Sequence, residues 1–403
     1  MAEKGPATKM NTNQSWLQLY GAKIKMTIEN RAIFEEEHNV FRDNFRRFCE
    51  EEVAPYTEEW IDNGIVDRAV WEKAGENGFL APFVEEEYGG LGLTDFRYSV
   101  IMIEELAMIG EAGFALSLHN DVIAPYLASY STPEQKARWL PKICSGEAIL
   151  AIGMTEPGTG SDLQNIKSKL EDKGDHYILN GSKTFISNGI ISDLVIVAAK
   201  ADEGVTLVVL ERGMEGFTRG RNLKKMGMKS QDTAELFFEN VIVPKDNVLG
   251  QPGQGFIYLM QKLAQERLVC AAGAMAACHF CFAETMDYVQ ERTAFGKPIG
   301  KFQNTRFKMA EMHTEITIGQ SFVDTLSTKL NEGTLSPDEA SMAKWWCTDL
   351  QNRVVDQCVQ FHGGYGYMME YPIARAYVDS RITPIFAGTN EIMKEIIGRG
   401  LGL

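Results

Sequence analysis

Leu150-Ala-Ile-Gly-Met-Thr-Glu-Pro-Gly-Thr-Gly-Ser-Asp162 is the stretch at which the chain changes period. Upstream, from Ile33 to about Gly146, apolar residues recur at helical spacing, as in Phe34, His38, Phe41, Phe45 and Phe48 and again in Tyr98, Ile101, Ile103 and Leu106. Breakers at Gly89 to Gly92 and Thr132 to Pro133 separate the helices. From Ala151 onward the runs are short and rich in β-branched and aromatic residues: His176–Leu179, Thr184–Ser187, Leu194–Ala198, Thr206–Leu210 and Leu236–Val243. Asn180-Gly181 and Asn188-Gly189 read as turns between them. After Gly255 the helical period returns, with segments Phe256–Arg292, Phe302–Glu332 and Pro337–Phe361 that are apolar on more than one face. The expected fold class is α+β. It comprises an N-terminal helical domain (30–150), a middle β-barrel-like domain (151–255) and a C-terminal four-helix bundle (256–403), without internal repeats.

A chain of 403 residues has room for two or three closely packed domains and a large core. Its formal net charge of -15 disfavours a nucleic-acid partner, because a polyanion repels an acidic surface. The seven cysteines are odd in number and irregular in spacing, which favours a reducing compartment. Cys278 and Cys281 form a C-x-x-C, but it lies in an apolar helical run with no second pair to complete a metal site, so it reads as core and no metal is expected. The first 30 residues carry Lys4, Lys9, Lys23 and Lys25 without the apolar centre of a secretory signal, and secretion is not expected. The uncharged run Leu268–Ala283 is shorter than the roughly 20 residues that span a bilayer and contains His279; it reads as a buried helix, not a transmembrane segment.

Neither G-x-G-x-x-G after a strand nor G-x-x-x-x-G-K-[ST] occurs, nor do H-E-x-x-H and G-x-S-x-G, so Rossmann, P-loop, zinc-protease and serine-hydrolase chemistries lack their motifs. What remains are small-residue loops beside strands. Thr155 to Asp162 offers hydroxyls and free N–H groups in a tight turn, suited to the ring heteroatoms of a polar aromatic cofactor or to phosphate; an ordinary turn is the competing reading. Phe185 and Ser187 share a strand face two residues apart, one able to stack on a ring and the other to hydrogen-bond it. Gln360–Gly364 and Gly388–Glu391 read as glycine-bearing turns at helix starts, where unpaired N–H groups meet pyrophosphate. Arg292, with Phe295, is placed to pair with that phosphate from a helix end.

Four ordered blocks then carry a resemblance. They are Met-Thr-Glu-Pro-Gly-Thr-Gly-Ser-Asp (Met154–Asp162), Asn-Gly-Ser-Lys-Thr-Phe-Ile-Ser-Asn-Gly (Asn180–Gly189), Arg-Thr-Ala-Phe-Gly-Lys-Pro-Ile (Arg292–Ile299) and Gln-Phe-His-Gly-Gly-Tyr-Gly-Tyr (Gln360–Tyr367). In this combination and order the chain resembles the acyl-CoA dehydrogenase family from Ile33 to Arg399. The resemblance implies FAD as cofactor, an electron-transferring flavoprotein as oxidant and a homotetramer in which one subunit completes its neighbour's FAD site. It assigns flavin contacts to Ile152 through Ser161, among them Met154, Thr155 and Gly160, and to Phe185, Ile186 and Ser187. Arg292, Phe295, Gln303, Gln360, Phe361, His362, Gly363 and Gly364 would reach the adenine and pyrophosphate side from the partner subunit, and Thr389, Asn390 and Glu391 would close the site. The acyl-CoA side falls to Ser161, Gln265, Arg267, Ala387 and Gly388. A compartment follows from the source: cytoplasm in a bacterium, mitochondrial matrix in a eukaryote.

The implied reaction removes a proton next to a thioester carbonyl while the neighbouring carbon gives up hydride, and it needs one carboxylate whose pKa a dry site raises. Many family members place that base in an E-G-T turn before the last helix. Here the turn reads Phe386-Ala387-Gly388-Thr389, so the carboxylate must come from elsewhere. Leu263-Ala-Gln-Glu-Arg-Leu268 supplies Glu266 in a largely apolar helix, resembling the E-R-L segment in which the long-chain and isovaleryl branches carry theirs. The competing reading of Glu266 is a surface acid paired with Lys262 at i−4. Tyr371–Arg381, Gly388–Ile397 and Gln231–Phe238 resemble the long-chain branch, and small Ala112 and Gly113 suggest room for an extended chain. The alternatives are a branched- or medium-chain substrate, an oxygen-using flavin oxidase or monooxygenase on the same fold, and a non-catalytic acyl-CoA-binding protein.

Overall fold

The computed structural model describes residues 31–403; the lysine-bearing segment before them lies outside the described residues. Helices α1 (Glu36–Phe48), α2 (Thr57–Asn63), α3 (Arg68–Glu76), α4 (Phe96–Met108), α5 (Ala124–Tyr130) and α6 (Pro133–Ser145) form the first layer. The breakers act as caps: Thr132 accepts from the Gln135 N–H, Gln135 reaches back to Thr132, and Pro133 opens α6. Phe45 and Phe48 of α1 pack with Trp60, Trp71 and Phe79 in a fully apolar cluster.

Eight strands follow: β1 (Leu150–Gly153), β2 (Lys169–Asp172), β3 (His176–Ser187), β4 (Leu194–Ala201), β5 (Gly204–Glu211), β6 (Phe217–Arg219), β7 (Thr233–Pro244) and β8 (Val248–Leu249). Their order is β6-β7-β3-β2-β4-β5-β8, with β1 parallel to β4. β6 and β8 end this path, but Tyr177 of β3, Val195 and Val197 of β4, Leu210 of β5, Phe217 of β6 and Leu236 of β7 share one core, so the sheet curls round its own interior in the barrel-like manner expected. Both faces of its centre are covered. Leu194, Ile196 and Ala198 of β4 pack with Leu207 and Val209 of β5 against α5 and α6, while Val195, Val197 and Ala199 alternate to the opposite core.

The Asn180-Gly181 turn is also corrected. His176–Ser187 is one strand, with register shifts between Leu179 and Gly181 and between Lys183 and Ile186. Gly181 sits at φ +145 against Ser168, whose Oγ would lie 2.5 Å from an added Cβ. A bulge under close backbone approach replaced the hairpin, a distinction that local turn chemistry does not contain.

The C-terminal layer holds α7 (Gly255–Glu291), a small hairpin of β9 (Thr293–Ala294) and β10 (Lys297–Pro298), then α8 (Gln303–Asn331), α9 (Pro337–His362), α10 (Pro372–Ser380) and α11 (Asn390–Gly400). α7, α8 and α9 pack with α4 around Leu268, Met275, Cys278, Cys281, Val323, Cys347 and Val354. Cys278 and Cys281 are thus core, and all seven cysteines are free thiols. By length and composition α7 is long and apolar enough to cross a membrane, but 67% of its most apolar window is buried by its neighbours, as in a core helix.

Candidate active site

Glu266 lies on α7 one turn beyond Lys262, yet the i−4 surface pair does not form. Lys262 turns to Ser129 Oγ at 2.7 Å. Glu266 is 4% exposed, and Tyr126 Oη on α5 donates to its Oε1 at 2.7 Å. Burial pushes the carboxyl up to about 7, against the opposing effects of the Tyr126 hydrogen bond and the nearby Arg267 and Lys262 charges. A carboxyl that ionises near neutrality in a dry site has the proton affinity a general base needs.

The vacated turn lies on the same scaffold. Ala387 (φ +51) and Gly388 (φ +87) are both left-handed, the former a conformation that costs a residue with a Cβ about 1–3 kcal/mol. Lys344 of α9 anchors them: its ammonium donates to the Gly388 carbonyl at 2.7 Å and to Asn390 Oδ1 at 3.0 Å. Burial lowers the Lys344 pKa to about 8. Thr389 caps α11 by accepting from the Ile392 N–H. From the other side Arg267, buried and with its pKa lowered by that burial, donates to Ser341 of α9 at 3.2 Å. Arg267, next to Glu266, and Gly388, next to Ala387, are therefore both held by α9. Gln265 faces away from it and donates to the Asp121 carbonyl at 2.8 Å.

The loop after β1 is braced from beneath. Lys183, fully buried on β3, donates to Glu156 Oε1 at 2.8 Å and to the Met154 carbonyl at 3.1 Å. Glu156 also accepts from the Lys167 and Ser168 N–H groups. Burial works against its charge, but Lys183 and those donors outweigh it and hold the carboxyl below its usual range. The Thr184 N–H donates to the Thr155 carbonyl at 2.9 Å, tying the loop to the strand that carries Phe185. Ile152 and Met154 pack on the apolar cluster that contains Tyr126. Above this brace the surface is open. Phe185 is 71% exposed, Ser187 is half-buried with its hydroxyl toward Gln231, Ser161 is exposed, and Cβ atoms at Gly158 or Gly160 would meet nothing within 4 Å.

A second group gathers at the far end of α7. Arg292 lies over the Tyr365 ring at 5.6 Å, and Phe295 is 96% exposed beside Phe302. Gln303, Gln360, Gly363 and Gly364 are exposed and Phe361 is half-buried. The 26 residues from Glu266 to Arg292 rise about 39 Å along an unbroken helix, so this group does not join Glu266 within one chain. Gln360–His362 is the last turn of α9, not the start of a helix, and a short 3-10 segment Gly363–Tyr367 follows; the apolar period of α9 runs further than the glycines imply.

Three expected cofactor contacts turn their side chains inward. Ile186 is in the sheet core, His362 stacks on Tyr288 at 4.2 Å, and Asn390 spends both ends of its amide on Lys344, Trp345, Thr348 and Asp349. Only their backbones are left for a ligand, whereas Glu391 is exposed at the start of α11. Room beside Ala112 and Gly113 is also corrected: Ala112 is at the surface, and an added Cβ on Gly113 would strike Ser230 Oγ at 2.0 Å. Tyr126, Lys183 and Lys344 were missed, since each acts through a partner at least 27 residues away.

Comparison with known proteins covers nearly all of the described chain. Residues 35–147, 151–241 and 253–402 match the N-terminal, middle and C-terminal domains described for acyl-CoA dehydrogenases. The chain belongs to the acyl-CoA dehydrogenase family. It is similar to the mitochondrial long-chain specific acyl-CoA dehydrogenase of Rattus norvegicus, 48% identical over 390 residues that cover 95% of this chain and 90% of the relative. The mitochondrial isovaleryl-CoA dehydrogenase of Solanum tuberosum is 36% identical, over 92% of this chain and 91% of the relative. Among solved structures, an acyl-CoA dehydrogenase from Geobacillus kaustophilus superposes with a TM-score of 0.90 at 52% identity, covering 92% of this chain and 99% of that one. The chain is thus an FAD-dependent oxidoreductase of acyl-CoA thioesters. Its residues suit that cofactor: a bare aromatic ring beside a hydroxyl and a glycine-rich loop give a planar ring system both a stacking face and polar edges.

Proposed function

We propose that the enzyme dehydrogenates long-chain acyl-CoA to trans-2-enoyl-CoA in fatty acid β-oxidation, with Glu266 as the base. One observation carries this reading: a buried carboxyl, raised to about 7, stands on the same scaffold as a turn whose usual glutamate is Ala387. Bound FAD supplies the oxidant for the hydride that leaves the β-carbon. Glu266 takes the α-proton. The Ala387 N–H, presented by the turn that Lys344 anchors, hydrogen-bonds the thioester oxygen and acidifies that proton. Arg267 positions the base's helix against α9, and Gln265, Ser161 and Gly388 border the acyl-CoA path.

Ile152, Met154, Thr155, Gly160, Ser161, Phe185, Ile186 and Ser187 hold the flavin in this reading, with Thr389, Asn390 and Glu391 closing the site. Arg292, Phe295, Gln303 and Gln360 to Gly364 serve the FAD of a second copy. The roughly 39 Å span along α7 and the bare Phe295 ring support a homotetramer that completes its sites across subunits. The division 30–150, 151–255 and 256–403 follows the helix–sheet–helix order. An electron-transferring flavoprotein takes the electrons onward, and the compartment is the cytoplasm of a bacterium or the mitochondrial matrix of a eukaryote.

Anaerobic titration of the FAD-loaded enzyme with butyryl-, octanoyl-, palmitoyl- and isovaleryl-CoA tests the reaction and chain length together. Bleaching of the flavin with highest kcat/KM on palmitoyl-CoA is expected. Preference for isovaleryl- or butyryl-CoA overturns the chain length, and rapid air reoxidation without a protein acceptor favours an oxidase.

A further inference from the structure

Among the described residues, one side chain hydrogen-bonds Glu266, and it comes from a different layer of the fold. Tyr126 is fully buried on α5, 140 residues away in sequence, and its hydroxyl donates to Oε1 and to no other group. For packing alone Phe would serve, because the hydroxyl is the only atom by which Tyr exceeds it. A buried hydroxyl is tolerated where it finds a partner, and here the partner is the base itself. Oε2 receives no hydrogen bond from the described residues. The hydroxyl both donates and accepts, so it can stay engaged when the carboxylate has taken up a proton.

We propose that Tyr126 is the positioning residue for proton abstraction, fixing one oxygen of Glu266 so that the other, Oε2, faces the substrate α-carbon. This rests on the reading of Glu266 as base. The α-proton passes to Oε2 and Oε1 keeps its hydrogen bond to Tyr126, whose own proton stays in place. Favouring the charged carboxylate, the hydroxyl also keeps the base ionised at lower pH than burial alone would allow. The charged groups acting on Glu266 are Arg267 and Lys262 on its own helix; Cys270, one turn further along, feels both Glu266 and Lys344 of α9. The helical segment Leu118–Ile123, also packed on α7, brings Asp121, bonded to Ser99 and pushed by burial to about 7.

Tyr126→Phe in the FAD-loaded enzyme, with anaerobic stopped-flow bleaching by palmitoyl-CoA followed between about pH 6 and pH 9, tests this. Three results are expected together: a plateau rate lower by about ten- to a hundredfold, KM within about twofold and an acid limb moved upward by about one pH unit. An unchanged plateau and limb overturns the proposal, and so does a limb that moves in Asp121→Asn but not in Tyr126→Phe. Glu266→Gln in the same assay separates the two readings. If it is inactive while Tyr126→Phe behaves as wild type, Tyr126 alone is wrong; if it still bleaches, the base itself is misassigned.

Discussion

The two ends of α7 follow opposite rules. Around Glu266 the chain supplies every neighbour itself: the carboxyl is buried, held by Tyr126 and flanked by Arg267 and Lys262, and burial raises its pKa to about 7 against the pull of all three. Around Arg292 and Phe295 the helix ends in an exposed guanidinium, a bare ring and open glycines. The contrast teaches where a chain must be self-sufficient. Proton chemistry needs a dry, preorganised group whose environment is set by folding itself. Phosphate and adenine recognition tolerates water and can be completed by a surface from another copy.

Breaking the brace under the loop after β1, proposed to hold the flavin, is the most damaging test of the self-contained end. Lys183→Met removes one partner of a buried ion pair and leaves Glu156 without its counter-charge, so a loss of about 3–5 kcal/mol in urea unfolding is expected, with FAD lost alongside. A smaller loss would place water in a site that is closed here.

Glu266 offers a subtler test through stability. Its carboxyl ionises near 4.5 in the unfolded chain and near 7 in the fold, so between these pH values the native state holds a proton that the unfolded state has released. Stability from this group therefore falls as pH rises from about 4.5 through 7. Glu266→Gln should raise the melting temperature at pH 8 relative to wild type, by an effect of at most roughly 3 kcal/mol, and leave it little changed near pH 4. Equal effects at both pH values would mean that Glu266 is not desolvated.

At the open end the fold should barely notice a substitution. Phe295→Ala is expected to change monomer stability by less than about 0.5 kcal/mol, because the ring is 96% exposed, while lowering FAD retention and tetramer content on gel filtration. Loss of folding with assembly unchanged would contradict the division between the two ends.

The layers were legible because periodicity is local. The Phe256–Arg292 reading of α7 differs from the observed Gly255–Glu291 by one residue at each end, and β4 and β7 extend their predicted runs by a few. The burial of Glu266 was legible through chemistry: the reaction still requires the glutamate missing at Ala387, so the acid in the apolar helix was expected in a dry site, and it is 4% exposed. Its partners were not. Tyr126 reaches Glu266 across 140 residues and Lys344 reaches Gly388 across 44, and no periodicity encodes such pairs. Asn180-Gly181 failed for a related reason: the approach of Ser168, not turn preference, chose the bulge. Three assigned contacts, Ile186, His362 and Asn390, were placed by motif position, which does not say which way a side chain points.

In the proposed reaction Glu266 takes the α-proton. The measurement that reaches it most directly is anaerobic bleaching of bound flavin by palmitoyl-CoA in purified Glu266→Gln. General base catalysis contributes about 10²–10⁴-fold, so FAD should remain bound at wild-type stoichiometry while the bleaching rate falls by at least that much. Full bleaching at the wild-type rate would mean that another carboxylate takes the proton.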